Sequence, residues 1–104
     1  GPSAVIAQTF TGRPASEVKQ LANLLASEPG TIALLAVNSP AVRLFFVRSD
    51  DATSDMRELL RQVTQRFGGG GGGRPEAAEG GGLRPEQVAE ALAWAAQQLQ
   101  QAPE

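Results

Sequence analysis

The stretch from Gly68 to Gly82, GGGGGGRPEAAEGGG, holds nine of the 12 glycines in a chain of 104 residues. Glycine reaches positive φ without steric cost and lets another molecule approach the main chain closely. Successive N–H groups in such a segment form an anion-binding concavity, and Arg74 adds a planar, permanently charged fork suited to phosphate. By composition alone the same residues read equally well as a flexible tether. Three features weigh against the tether. A loop of this length is uncommon inside a compact domain, Arg74-Pro75 and the EAAE island split the glycines into two blocks, and well-patterned helices flank both ends.

Three further arginines, Arg57, Arg61 and Arg66, precede the glycines on one helical segment. They are candidate phosphate contacts, although arginines at such spacing also make an ordinary solvated helix face. Glu76 and Glu79 have the residue types of an acid/base pair, but no nucleophile, metal set or apolar pocket accompanies them, and they read as solvated loop residues. The chain contains no histidine and no cysteine. Disulfides, Cys/His zinc sites and every triad that uses those side chains are therefore excluded. No dense Asp/Glu cluster suggests magnesium. The expectation is a chain with no catalytic residue, no metal and no cofactor. The glycine run matches G-x-G-x-x-G trivially and follows a helix rather than a strand, so it carries no dinucleotide signal. A P-loop fails too, because no Gly-Lys-Ser/Thr follows.

Formal net charge is −2, with 41% hydrophobic and 19% charged residues. Those totals describe an ordinary globular domain that attracts nucleic acid only through a local patch. No apolar run has the length of a membrane span, and no basic-then-apolar leader opens the chain. Absence of cysteine fits the cytoplasm. One domain over residues 1–104 is expected, with Gly1–Ser3 read as a protease-cleavage scar.

Several elements must position these groups. AVIAQTF (4–10) reads as a buried strand. A helix follows from Pro14 to the Pro29-Gly30 stop, with Val18, Leu21, Ala22 and Leu25 on one face. TIALLAVN and VRLFFVRS read as two strands joined by a hairpin around Ser39-Pro40. Phe45 and Phe46, being adjacent, point to opposite faces, one beneath a helix and the other partly exposed. A second helix starts at Asp55, which with Glu58 resembles a capping box, and buries Met56, Leu59, Leu60, Val63 and Phe67. Beyond the glycines, Pro85 restarts a helix with Val88, Ala91, Leu92, Ala95 and Leu99 inward and Trp94 flanking. The fold class is α/β: a small mixed sheet of three or four strands covered by three helices. Its order is strand-helix-strand-strand-helix-Gly loop-helix, with the first two strands parallel through a right-handed crossover.

The pattern Gly68-Gly69, Gly71-Gly72-Gly73-Arg74-Pro75, Ala78 and Gly80-Gly81-Gly82 resembles the signature of the DHH-associated domain. That domain forms the C-terminal part of alanyl-tRNA synthetases, freestanding alanyl-tRNA editing proteins and DHH-type phosphoesterases. Phe10-Thr11-Gly12-Arg13, PGTIALLAV (29–37) and VRSDDATSDMRELL (47–60) stand in the expected order, so the resemblance covers nearly the whole chain. The phosphoesterase branch usually has histidine after its glycine run; Arg74-Pro75 stands here instead, which favours the alanyl branch. Two departures are visible. Gly70 replaces an often basic residue and Glu79 an often neutral Gln, both lowering positive character at the loop.

The resemblance implies a non-catalytic fragment of a larger protein that contacts tRNA, most naturally tRNA(Ala), beside a catalytic or editing domain of the same polypeptide. The implied phosphate-binding residues are Gly68, Gly69, Gly71, Gly72, Gly73, Arg74, Gly80, Gly81 and Gly82, with Arg57, Arg61 and Arg66. Two alternatives accompany it. One is a substrate-binding lobe of a phosphoesterase. The other is a self-association module, a homodimer through Trp94 and the alanine-rich AEALAWAA face; Trp94 reads first as a cap on the domain's own core.

Overall fold

The computed structural model describes residues 4–38 and 41–101. Gly1–Ser3, expected to be a cleavage scar, and Ser39-Pro40, expected to join the two strands, lie outside the described residues, as do Ala102–Glu104. Five strands and three helices follow one another as β1 (Ala4–Phe10), α1 (Ala15–Ala26), β2 (Thr31–Asn38), β3 (Val42–Arg48), α2 (Met56–Phe67), β4 (Gly70–Arg74), β5 (Ala77–Gly81) and α3 (Val88–Gln101). One sheet joins all five strands in the order β1-β2-β3-β5-β4. β1 and β2 pair parallel across α1, and the remaining pairs are antiparallel.

β2 is a continuous apolar run because both of its faces are covered. Ala33, Leu35 and Val37 pack under Val18 and Ala22 of α1. Ile32, Leu34 and Ala36 pack under α2 and α3 with Met56, Leu60, Val63, Leu92 and Ala95. The same alternation sends Phe45 toward α1 and Phe46 toward α2. Partial exposure was expected for one of this pair; both are buried, at 3% and 0%, because β5 pairs with β3 and makes it an interior strand.

Asp55 caps α2, its Oδ1 accepting from the Glu58 N–H at 3.0 Å. Pro85 opens a short 3-10 turn that leads into α3. Trp94 is half-buried and meets Phe67 edge-to-face at 6.1 Å, so it serves this domain's own core.

The start of β2 is held by a polar latch. Asp51 Oδ1 accepts from the Gly30 N–H at 3.0 Å and from the Ser49 hydroxyl at 2.5 Å. These bonds, the Gly30 one foremost, hold the Asp51 carboxyl below its ordinary value of 3.8. A depressed folded-state pKa stabilises the fold above the unfolded value and loses that contribution as pH falls through the folded value. The stability gap between the native chain and Asp51→Asn should therefore be widest near neutrality and close in acid. Urea denaturation at a series of pH values descending below 3.8 checks it.

Candidate nucleic-acid interface

The glycine-rich stretch was expected to be a loop; it is instead a β-hairpin at the edge of the sheet, which raises the strand count from three or four to five. Arg74-Pro75-Glu76-Ala77 makes its turn, with Arg74 opposite Ala77. Proline fixes a negative φ at the first turn position, and among the described residues no non-glycine residue has positive φ, so the turn is not one of the primed types usual for such hairpins. Two backbone bonds secure the turn: the Arg48 N–H donates to the Glu76 carbonyl at 3.0 Å, and the Met56 N–H donates to the Pro75 carbonyl at 2.8 Å. The signal for the turn that the sequence did offer is Pro75, a residue favoured at the first central position of a β-turn.

The glycines permit this hairpin by omitting side chains where main chains pack. Gly69 has φ +91°, and a Cβ there would collide with the Gly81 carbonyl oxygen. A Cβ on Gly71 would lie 2.5 Å from both the Glu79 oxygen and the Gly80 Cα, and 3.0 Å from Leu60 Cδ2 of α2. Gly73, Gly80 and Gly81 are equally hemmed in by backbone, whereas Gly70 and Gly72 face open space.

β5 lies between β3 and β4, so its ladder groups are engaged on both sides. Bonds at its two ends, Gly82 N–H to the Val42 carbonyl and Arg48 N–H to the Glu76 carbonyl, set the alternation. Gly80 and Gly82 then point their polar groups at β3, while Ala77, Glu79 and Gly81 point theirs at β4. Their partners Arg74, Gly72 and Gly70 turn toward β5 in return. The N–H and C=O groups of Gly71 and Gly73 face outward from β4. All five residues of β4 are exposed. An alternating edge replaces the expected cradle of successive N–H groups, because strand geometry sends neighbouring groups to opposite sides.

Grooves flank this edge on both faces. Arg57, Arg61, Asp55, Glu58, Gly71 and Gly72 line the one beside α2, with a volume of about 360 Å³. Arg61 is bonded through its guanidinium to Glu58, which holds that carboxyl below and the guanidinium above their ordinary values. Arg57 is exposed and makes no ion pair among the described residues. The groove beside α1, about 350 Å³, includes Lys19, Asn23, Gly72, Gly73, Arg74 and Glu79. Here Glu79 bridges Lys19 at 2.9 Å and Arg43 at 3.4 Å, while Arg74 approaches Glu76 at 3.6 Å. Glu76 and Glu79 are thus ion-paired to separate cations.

The candidate residues do not form one cluster. Arg57 and Arg61 meet Gly71 and Gly72; Arg74 stands at the hairpin tip on the other face. Arg66 lies at the far end of α2 with its guanidinium 5.2 Å from the Trp94 ring centroid and 5.9 Å from that of Phe67. Lys19 and Arg43 were missed by sequence reasoning, since their approach to Glu79 depends on the β3–β5 register.

Among the described residues no helix is long and apolar enough to cross a membrane, and no three His, Cys, Asp or Glu side chains gather as metal ligands. The chain is 38% identical to the alanine–tRNA ligase of Idiomarina loihiensis over 97% of its own length, which is 12% of that protein. It is 36% identical to the corresponding ligase of Hydrogenovibrio crunogenus over 86% of its length and 11% of that protein. The chain thus spans about a tenth of the length of the curated relatives it matches. In fold it is similar to the C-Ala domain from Aquifex aeolicus alanyl-tRNA synthetase, with a TM-score of 0.83, 24% identity, and coverage of 95% of this chain and 93% of that one. The DHHA1 domain model matches residues 2–101, glycine hairpin included, and the chain belongs to that family.

Proposed function

We propose that the chain is a non-catalytic tRNA-binding domain of an alanyl-tRNA synthetase, working in the cytoplasm beside the catalytic and editing parts of the same polypeptide. The observation that carries this reading is the groove in which Arg57 and Arg61 face the side-chain-free edge of β4. Glycine lets a phosphodiester backbone approach the strand closely, and the arginines supply charge on one flank. Arg74 and Lys19 supply it on the other. The similarity to alanine–tRNA ligases supports tRNA(Ala) as the nucleic acid. Contacts of this type position the RNA without reading its sequence. The acids beside the cations, Glu58 and Glu79 above all, keep the affinity modest, and the cations that neutralise phosphates make it salt-dependent.

Fluorescence-anisotropy titration of labelled tRNA(Ala) at several salt concentrations tests the proposal. The native chain should bind saturably and weaken with salt. Arg57→Ala with Arg61→Ala should lower affinity roughly tenfold, two exposed charge contacts being lost together. The double variant should also flatten the salt slope, by about 0.7–0.9 for each phosphate that is no longer neutralised. No saturable binding at low salt sinks the proposal. An unchanged affinity in the double variant, with a loss in Arg74→Ala, moves the RNA to the α1 side of the edge.

A further inference from the structure

Arg66 differs from the other candidate arginines in what it touches. Arg61 lies against Glu58 and Arg74 against Glu76, and Arg43 shares Glu79 with Lys19. Arg66 makes no ion pair among the described residues. Its guanidinium instead lies over two rings, 5.2 Å from the Trp94 centroid and 5.9 Å from that of Phe67. Both rings are half-buried, meet edge-to-face and pack against the core, so they make a fixed floor. Arg66 itself is exposed in the last turn of α2, where the helix dipole favours a cation. A guanidinium is planar; with one side over the rings, its other side is open to solvent.

Position and space decide what that open side fits. Arg66 follows Arg57 by nine residues. At about 3.6 residues per turn this sets it on the opposite flank of α2 and roughly 13 Å further along the axis. A phosphate track through the groove of Arg57 and Arg61 therefore does not continue to it. The next residue but one, Gly68, is exposed, and a Cβ there would meet nothing within 4 Å. A flat body can reach the end of α2 at this point without meeting a side chain on that residue.

The geometry points to Arg66, backed by Trp94 and Phe67, as a stacking platform for one unpaired nucleobase of the bound RNA. The base lies on the outer side of the guanidinium and continues the stack that the rings begin. Unpaired bases stack on aromatic rings and on arginine planes, and such contacts accept any base because every base has a π-face. No carboxylate has to be displaced from Arg66, so the contact breaks no ion pair. The inference rests on the reading of the domain as an RNA binder, and it adds to that reading a contact with a base on a surface separate from the phosphate groove.

Two probes separate a base contact from a charge contact: a short oligoadenylate, and an abasic ribose-phosphate strand of the same length. At low salt the native chain should bind oligoadenylate roughly tenfold more tightly than the abasic strand, the usual worth of one stacked base. Oligoadenylate alone should also change the emission of Trp94, the only tryptophan in a chain without tyrosine. Arg66→Lys keeps the charge and removes the planar face. It should retain the native circular dichroism and melting temperature, yet bind the two strands equally and bind tRNA(Ala) several-fold more weakly than the native chain does. Failure of this inference and failure of the RNA reading look different. If tRNA(Ala) does not bind the native chain, both fall. If tRNA(Ala) binds the native chain and Arg66→Lys equally, or the native chain binds the two strands equally, the RNA reading stands and the base platform is overturned.

Discussion

Gly71→Ala should lower the thermal midpoint by on the order of 10 °C, while Gly72→Ala, one residue along the same strand, should leave it nearly unchanged. The asymmetry comes from the two faces of β4. A methyl group on Gly71 enters the space between β4, β5 and α2, 2.5 Å from the Glu79 oxygen and from the Gly80 Cα. Neither is the end of a flexible side chain, so relief requires the hairpin to shift as a unit. Overpacking of this kind costs roughly 1–3 kcal/mol, and in a domain of about 100 residues each kcal/mol is worth about 4–8 °C. A methyl on Gly72 meets nothing within 4 Å. Scanning calorimetry of the two variants decides the matter. Equal midpoints would mean that the glycines are tolerated options rather than requirements of the ladder, and their placement would then have to be explained by ligand approach alone. The same pair separates folding from binding: Gly72→Ala adds bulk to the outer track without disturbing the fold, so any loss of tRNA affinity in it reports close approach of the ligand.

Leu60→Ala should destabilise the domain by about 2–5 kcal/mol, the usual range for removing a buried leucine side chain. Leu60 is 1% exposed, and its Cδ2 lies 3.0 Å from where a Gly71 Cβ would stand, so it forms the floor beneath β4. Against a total stability of about 5–15 kcal/mol this loss is severe, and the hairpin is the first part to loosen because β4 is an edge strand with no apolar side chain of its own to pack. Urea denaturation gives the magnitude, and hydrogen exchange should show the ladder between β4 and β5 losing protection ahead of β2 and β3. Combining Leu60→Ala with Gly71→Ala sharpens the test. Removing the leucine relieves one of the three close approaches, while the two backbone approaches remain. The alanine penalty should therefore persist in the double variant. Complete rescue would show that the side chain, and not the ladder, enforces glycine at position 71.

Much of the fold follows from local patterns. The apolar spacing of Val18, Leu21, Ala22 and Leu25, and that of Met56, Leu59, Leu60 and Val63, define helices whose inner faces the structure buries or half-buries. The unbroken apolar run of β2 announces a strand covered on both sides, and the Asp55 cap is visible from residue types alone. The glycine pattern with Arg74-Pro75 points to the family that the matching domain model establishes.

The hairpin was not legible in the same way, and the reason is physical. A strand announces itself by side chains alternating between two environments, and GGGGR presents almost none to alternate. What makes these residues a strand is their pairing with β5, and β5 is in turn ordered by β3, whose partners, from Val47 opposite Ala77 to Arg43 opposite Gly81, lie far earlier in the chain. That long-range pairing also buries Phe45 together with Phe46, brings Glu79 to Lys19 and Arg43, and separates Arg66 and Arg74 from the groove that Arg57 and Arg61 share. By itself the sequence determined the helices, the central strands and the absence of histidine and cysteine chemistry, because each is written in residue types or in spacing within one element. Only the tertiary structure decided which cations face the glycines and that β4 stands at an edge of the sheet, because those depend on register between strands far apart in the chain.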